Sequence, residues 1–295
     1  EHRRREQGTP AQLRRDLGIF LVLLSYLCRE LNGQRKILMY IDTHSHIYEE
    51  EFRDDREVVV ERARRAGVER IVLPDIDSQS RGRMLELAGR YPEMMVPLAG
   101  LHPTSVGEGY ERELALVERE VGTGGYYGIG ECGLDLYWDT RFYREQVKVL
   151  EHQLGIARDM GWPVVLHVRD AMGETMSILR RHSHVRGILH CFPGTAEEAR
   201  EAIDRGFLLG IGGVVTFKKS GMAEVVREIG ARHLVLETDS PYLAPVPHRG
   251  KRNESGYLPL IAAKIAELTG DEVENIRRMT TENAVDLFNL HIENR

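Results

Sequence analysis

Residues 163–167, Pro163-Val164-Val165-Leu166-His167, form a short, nearly continuous apolar run that ends abruptly in an imidazole. Such a run fits a strand buried on both faces, as happens where helices cover a parallel sheet. The pattern extends in both directions. Apolar, β-branched runs at 40–43, 70–74, 95–101, 126–130, 163–166, 186–189, 207–211 and 233–238 alternate with longer segments of helical period. Repeated βα units of this kind indicate a parallel α/β fold. Eight of them at fairly even spacing predict a single-domain (β/α)8 TIM barrel over residues 39–295. Helix punctuation agrees. Residues 57–66 run into Gly67, the helical stretch after Thr140 stops at Gly161, and Asp271 with Glu274 resembles a capping box.

Outside the barrel stand residues 1–38, an Arg-rich start followed by an apolar run from Leu17 to Cys28. That run is short for a bilayer span, and no small-x-small cleavage site follows it. Met39 lies directly before the first strand, so the preferred reading is an extension upstream of the natural start. The rival is an amphipathic helix that docks or anchors the protein. This segment carries eight Lys/Arg against four Asp/Glu, leaving −10 on the rest of a chain of formal charge −6. A body that acidic is not a bulk duplex binder, since non-specific affinity for nucleic acid comes from phosphate neutralisation. Three cysteines (Cys28, Cys132, Cys191) without C-x-x-C spacing favour a reducing, cytoplasmic setting.

Buried strands ordinarily end in apolar or turn residues, yet five of these eight end in metal-ligand types. The first runs into His44-Ser45-His46, the fourth into Glu131, the fifth into His167, the sixth into His190 and the eighth into Glu237-Thr238-Asp239. Singly, each has an ordinary structural reading as a cap or a hydrogen-bonded core group. Together they do not, because barrel topology brings all strand C-termini to one mouth. Carboxylates buried side by side repel unless a cation compensates, which predicts divalent metal. Mixed imidazole and carboxylate donors suit zinc or manganese, with magnesium tolerated where oxygen dominates. Two such ions about 3.5–4 Å apart are suited to phosphoryl displacement. No phosphate loop, G-x-S-x-G elbow or dinucleotide fingerprint competes.

Six segments, I-D-T-H-S-H at 41–46, L-H-P at 101–103, G-E-C-G-L-D at 130–135, H-V-R-D at 167–170, H-C-F-P-G at 190–194 and E-T-D-S-P-Y-L-A-P at 237–245, occur in an order that resembles TatD-type metal-dependent deoxyribonucleases. The resemblance covers about residues 39–290. It implies that His44, His46 and Asp239 help bind one metal, that His167 and His190 bind a second, and that Glu131 bridges them. The two ions would be Mg²⁺, Mn²⁺ or Zn²⁺. Asp239 would accept a proton from the attacking water, and His102 would contact substrate phosphate. Arg249, in the loop with Asn253 and Glu254, is a candidate phosphate clamp or a solvated loop charge. Thr104 stands where many relatives carry a second histidine. Cys132 and Cys191 flank ligands and invite a thiolate reading, but strand alternation favours packing. Phe192 and Tyr242 either stack on a base or cover the site.

The function expected is hydrolysis of DNA phosphodiester bonds, as a 3′→5′ exonuclease on single-stranded ends, with no membrane or obligate protein partner. Alternatives are hydrolysis of a small ester, lactone or amide, or a metal-binding scaffold acting through a partner. Glu131, where related barrels use a modified lysine, weighs against the former.

Overall fold

The computed structural model describes residues 39–291. The readings of residues 1–38, Cys28 included, lie outside them. Eight strands alternate with helices: β1 (Tyr40–Asp42), α1 (Arg56–Arg65), β2 (Val68–Leu73), α2 (Ser78–Arg90), β3 (Met95–Pro97), α3 (Tyr110–Thr123), β4 (Ile129–Asp135), α4 (Tyr143–Met160), β5 (Val164–Arg169), α5 (Met172–Arg181), β6 (Gly187–Leu189), α6 (Ala196–Asp204), β7 (Phe207–Ile211), α7 (Met222–Ile229), β8 (Leu234–Leu236), α8 (Leu258–Thr269) and α9 (Val273–Phe288). β1–β2–β3 and β4 through β8 pair in parallel, each with its successor. A bridge from Ala99 to Ile129 joins the two sets, and one from Ser45 to Ser240 joins the last strand to the first. This is the TIM barrel expected from the sequence. No helix among the described residues is long and apolar enough to cross a membrane.

The closing seam is reinforced by a buried carboxylate. Asp42 accepts hydrogen bonds from the Thr238 amide (2.9 Å), the Thr238 hydroxyl (2.6 Å) and the His44 amide (3.3 Å). Burial pushes its carboxyl up to about 7 despite these donors. Backbone bonds Thr43 N to Leu236 O (2.9 Å), Asp239 N to His44 O (2.9 Å) and His46 N to Ser240 O (2.8 Å) complete the seam.

Strand alternation explains what reaches the barrel interior. Val164, Leu166 and Val168 of β5 belong to the large apolar cluster between sheet and helices, whereas Val165, equally buried, lies outside that cluster. His167 and Arg169 share its parity. Continued by one residue past each strand, the same rule puts His190 on the side of Ile188 and Glu237 on the side of Val235.

Most strand boundaries differ from expectation by one to five residues, and those of β3, β4 and β5 bear on the site. β4 and β5 extend past their apolar runs to Asp135 and Arg169, so Glu131 and His167 sit within strands. The ladder continues because Gly133 lets β4 approach β5, its missing Cβ falling on the His167 carbonyl oxygen. β3 ends at Pro97, four residues earlier than expected, because Leu98 to Leu101 make only isolated backbone bonds and one bridge. Leu101 is held instead by Gln153 of α4, whose amide accepts from Leu101 N (2.8 Å) and donates to Leu101 O (3.2 Å). The capping box at Asp271 does not form. Glu272 is the N-cap, and Asp271 accepts from its amide (2.8 Å) and from the Asn275 side chain (2.9 Å). Capping boxes occur at Asp77/Ser80 and Thr195/Glu198.

Two glycines predict opposite responses to alanine. Gly133→Ala combines a backbone overlap with a φ of 149° and is expected to lower stability by about 2–4 kcal/mol. Gly155→Ala within α4 meets no atom within 4 Å and is expected to raise it by about 0.5–1 kcal/mol. Urea unfolding of the two variants checks both signs.

Candidate metal centre

All six residues expected as ligands converge at the C-terminal mouth. Three sets of side chains each bring donor atoms within 4.8 Å of one another: His44 with His46 and Asp239, His44 with Glu131 and His190, and His102 with Glu131 and His167. Glu131, buried at the centre, faces two ways. Its Oε2 lies 3.1 Å from His44 Nε2 and 3.4 Å from His46 Nε2. Its Oε1 lies 2.8 Å from His167 Nδ1, 3.3 Å from His102 Nε2 and 3.9 Å from His190 Nε2. Asp239 Oδ1 approaches His46, His44 and His190 at 3.7–3.9 Å. His167 and His190 do not fall in one of these sets together; their ring centroids are 6.4 Å apart and both face Glu131 Oε1.

Protonation patterns follow from what each ring touches. The Tyr48 hydroxyl donates its single proton to Pro74 O (2.5 Å), so toward His46 Nδ1 (2.9 Å) it can only accept. His46 therefore carries its proton on Nδ1, and a neutral ring turns a bare Nε2 toward the site. His102 is arranged the other way. Its Nδ1 accepts from the Thr104 amide (3.1 Å) and lies 2.6 Å from the Thr104 hydroxyl. A neutral His102 thus presents an N–H from Nε2, 3.3 Å from Glu131 Oε1, in place of a bare nitrogen. Thr104 sets this tautomer.

Charge at the mouth is balanced by protons. Burial works to lower the basicity of His190 and His167, but nearby carboxylates overcome it. Glu237, 3.2 Å from His190 Nδ1, lifts that ring to about 10, and Asp135 with Glu131 lifts His167 to about 9. Burial would raise Glu131, yet neighbouring His44 and His102 hold it well below the usual carboxylate range. His44 is depressed by burial and by His190, stacked on it at 3.4 Å between centroids. Burial pushes Asp239 up to about 6 in spite of His190 and His46. The donor set fits divalent cations. His44 Nε2 and His46 Nε2 stand 3.1 Å apart, both turned toward carboxylate oxygens, an arrangement that positive charge placed among them relieves.

Asp135 and Glu237 were not singled out from the sequence as functional residues. Asp135 Oδ2 lies 3.0 Å from His167 Nε2. Glu237 faces His190 at ion-pair distance without hydrogen-bond alignment, accepts from the Cys191 amide (2.6 Å), and leaves Oε2 without a partner among the described residues. Their signal is spacing: Asp135 shares the face of β4 with Glu131, four residues away, and Glu237 stands two residues before Asp239. Tyr48, outside any strand, gave none.

Other expectations resolve as follows. Cys132 is fully buried in the apolar cluster with its thiol held protonated by burial, so the packing reading applies. Phe192 is buried and Tyr242 exposed, which leaves only the latter free to stack. Arg249 is exposed with its guanidinium 4.5 Å from the Phe217 ring centroid. Asn253 instead ties Thr238 O (2.7 Å), and Glu254 pairs with Arg62 (2.6 Å); both are structural.

The family model for TatD-related DNases matches residues 41–289. A Bacillus subtilis protein named as the uncharacterized metal-dependent hydrolase YabD is 39% identical over 256 residues, covering 86% of this chain and all of that one. A Dickeya dadantii protein named 3′-5′ ssDNA/RNA exonuclease TatD is 34% identical over 246 residues, covering 81% of this chain and 93% of that one. The crystal structure of YJJV, a TatD homolog from Escherichia coli, superposes with a TM-score of 0.81 at 28% identity, over 86% of this chain and all of that one.

Two predictions concern cation binding. Tyr48→Phe removes the acceptor for His46 Nδ1–H and is expected to weaken divalent-metal affinity by about 10–100-fold in a chelator-competition titration. Binding through His167 and His190 would require both as free bases, and with values of about 9 and about 10 both are protonated at pH 7. Metal uptake at pH 7 should therefore release about two protons per chain, read with an indicator dye in weak buffer. Affinity should rise with pH towards 9 and fall on acidification; a pH-independent affinity would contradict the assignment.

Proposed function

This chain belongs to the TatD-related DNase family of metal-dependent hydrolases, and from that premise we propose that it hydrolyses phosphodiester bonds of DNA, acting 3′→5′ on single-stranded ends. The observation that carries the reading is the two-faced position of Glu131, with one oxygen toward His44 and His46 and the other toward His167 and His190. In this proposal His44, His46 and Asp239 would hold one divalent ion and His167 and His190 a second, with Glu131 available to both groups. When bound, such ions lower the pKa of water toward neutrality and neutralise phosphoryl oxygens.

The remaining roles belong to the chain's own side chains. Asp239, with a carboxyl near 6, is ionised at neutral pH and basic enough to accept a proton from the attacking water. His102 donates from Nε2 to a phosphate oxygen. Arg249 is the rim contact for a phosphate further along the strand. The curated relative from Dickeya dadantii, named for 3′-5′ action on single-stranded DNA and RNA, supports the polarity and the strand preference. The acidic body favours gripping one strand end over wrapping a duplex.

The test follows nucleotide release from 3′- and 5′-labelled single-stranded DNA with Mg²⁺, Mn²⁺ or EDTA. Metal-dependent shortening from the 3′ end is expected, reduced by about 100-fold or more in Glu131→Ala. Full activity in that variant refutes the mechanism. No cleavage with any metal refutes the substrate and turns the choice to a small ester or amide.

A further inference from the structure

The loop that follows β4 exposes aromatic surface where a soluble protein has little reason to. Tyr137 is 55% and Trp138 67% exposed, their ring centroids 5.0 Å apart and nearly perpendicular. The loop is anchored by Asp135, whose Oδ1 accepts from both the Tyr137 and Trp138 amides (3.0 Å each). Arg169, the last residue of β5, lies on the same strand face as His167. Its guanidinium carbon is 3.9 Å from the Tyr137 centroid and 5.2 Å from that of Trp138. It has no ion-pair partner among the described residues. Beneath Trp138 lies a cavity of about 210 Å³, lined among others by Pro103, Thr104, Asp135, Asp139 and Phe142. A cavity of ~150 Å³ is enough for a benzene ring, so this one admits a planar heterocycle.

The cavity adjoins the metal centre through two residues. Asp135 also bonds His167, and Thr104 also bonds His102. Whatever occupies it sits within about one nucleotide of the reacting phosphate. Resting on the nuclease reading, we propose that Trp138, Tyr137 and Arg169 form a nucleotide subsite. The base of a nucleotide next to the scissile bond stacks on Trp138 over the cavity, and Arg169 takes an adjoining phosphate. Stacking suits a chain whose acidic body repels a polyanion, because a base face carries no net charge and every base has one. The guanidinium, placed over the Tyr137 ring, has N–H donors to offer phosphate oxygens.

The chain has two tryptophans, Trp138 and Trp162, so Trp162→Phe leaves Trp138 as the single indole reporter. The metal-loaded full-length protein is titrated with a hydrolysis-resistant phosphorothioate single strand, following Trp138 fluorescence and the anisotropy of the labelled strand. Expected results are quenching of Trp138 and a loss of affinity of about 5–100-fold in Trp138→Ala, partly restored in Trp138→Phe. One abasic sugar near the 3′ end should cause the same loss, and Trp138→Ala should add nothing on that strand. Arg169→Gln should flatten the dependence of log affinity on log salt by about 0.7. If Trp138→Ala binds and degrades DNA as the parent does, the subsite is wrong and the nuclease reading stands. If no strand binds or is cleaved, both are wrong.

Discussion

An eight-stranded barrel exists only if its last strand hydrogen-bonds to its first, and here that seam also delivers the first set of ligands. Asp42 holds Thr238 through two hydrogen bonds, one at each of its oxygens, and accepts a third from His44 N. The residues that follow on each side, His44 with His46 and Asp239, come together as a direct result. A buried carboxylate unpaired by cation is costly. Asp42 is retained because it satisfies backbone donors from two strands that no apolar residue could satisfy. Closure of the fold and assembly of the site are thus the same event, and neither strand end can shift without opening both.

The second constraint is electrostatic. Glu131, Asp239, Glu237 and Asp135 crowd one mouth with four imidazoles and His102 around them. Against the effect of burial, these carboxylates raise the proton affinity of His190 and His167. Such a centre is poised to exchange protons for a harder, more highly charged cation. Burial of Glu131, Glu237 and Asp135 makes each carboxylate felt strongly by its neighbours.

Much of this could be read from residues alone, and the reasons differ by element. Apolar runs ending in His167, His190 or the Glu237–Asp239 stretch identified strands and mouth together, because parity and topology both follow from chain geometry. The extent of β4 and β5 could not be read so, since polar Glu131 and His167 look like loop residues until the barrel interior turns out to be where they belong. Tyr48 was invisible because its partner, the Pro74 carbonyl, is backbone and 26 residues away. Asp271 met the pattern of a cap, but the chain offered Glu272 the same position and the helix began one residue later. Phe192 and Tyr242 looked equivalent in sequence and differ only in which way the chain turns after each strand.

Asp135 marks a border that a protein engineer would want to know. One of its oxygens faces His167 and the other fastens the loop that follows Leu136. Leu136 still belongs to the ladder, its amide bonding Arg169 O (2.9 Å), and residues 137–141 are the part that can be exchanged for a loop of another shape. Swapping recognition surfaces while preserving chemistry therefore has a defined cut point. A graft that keeps aspartate there inherits an intact reaction centre, and one that replaces it alters both parts at once.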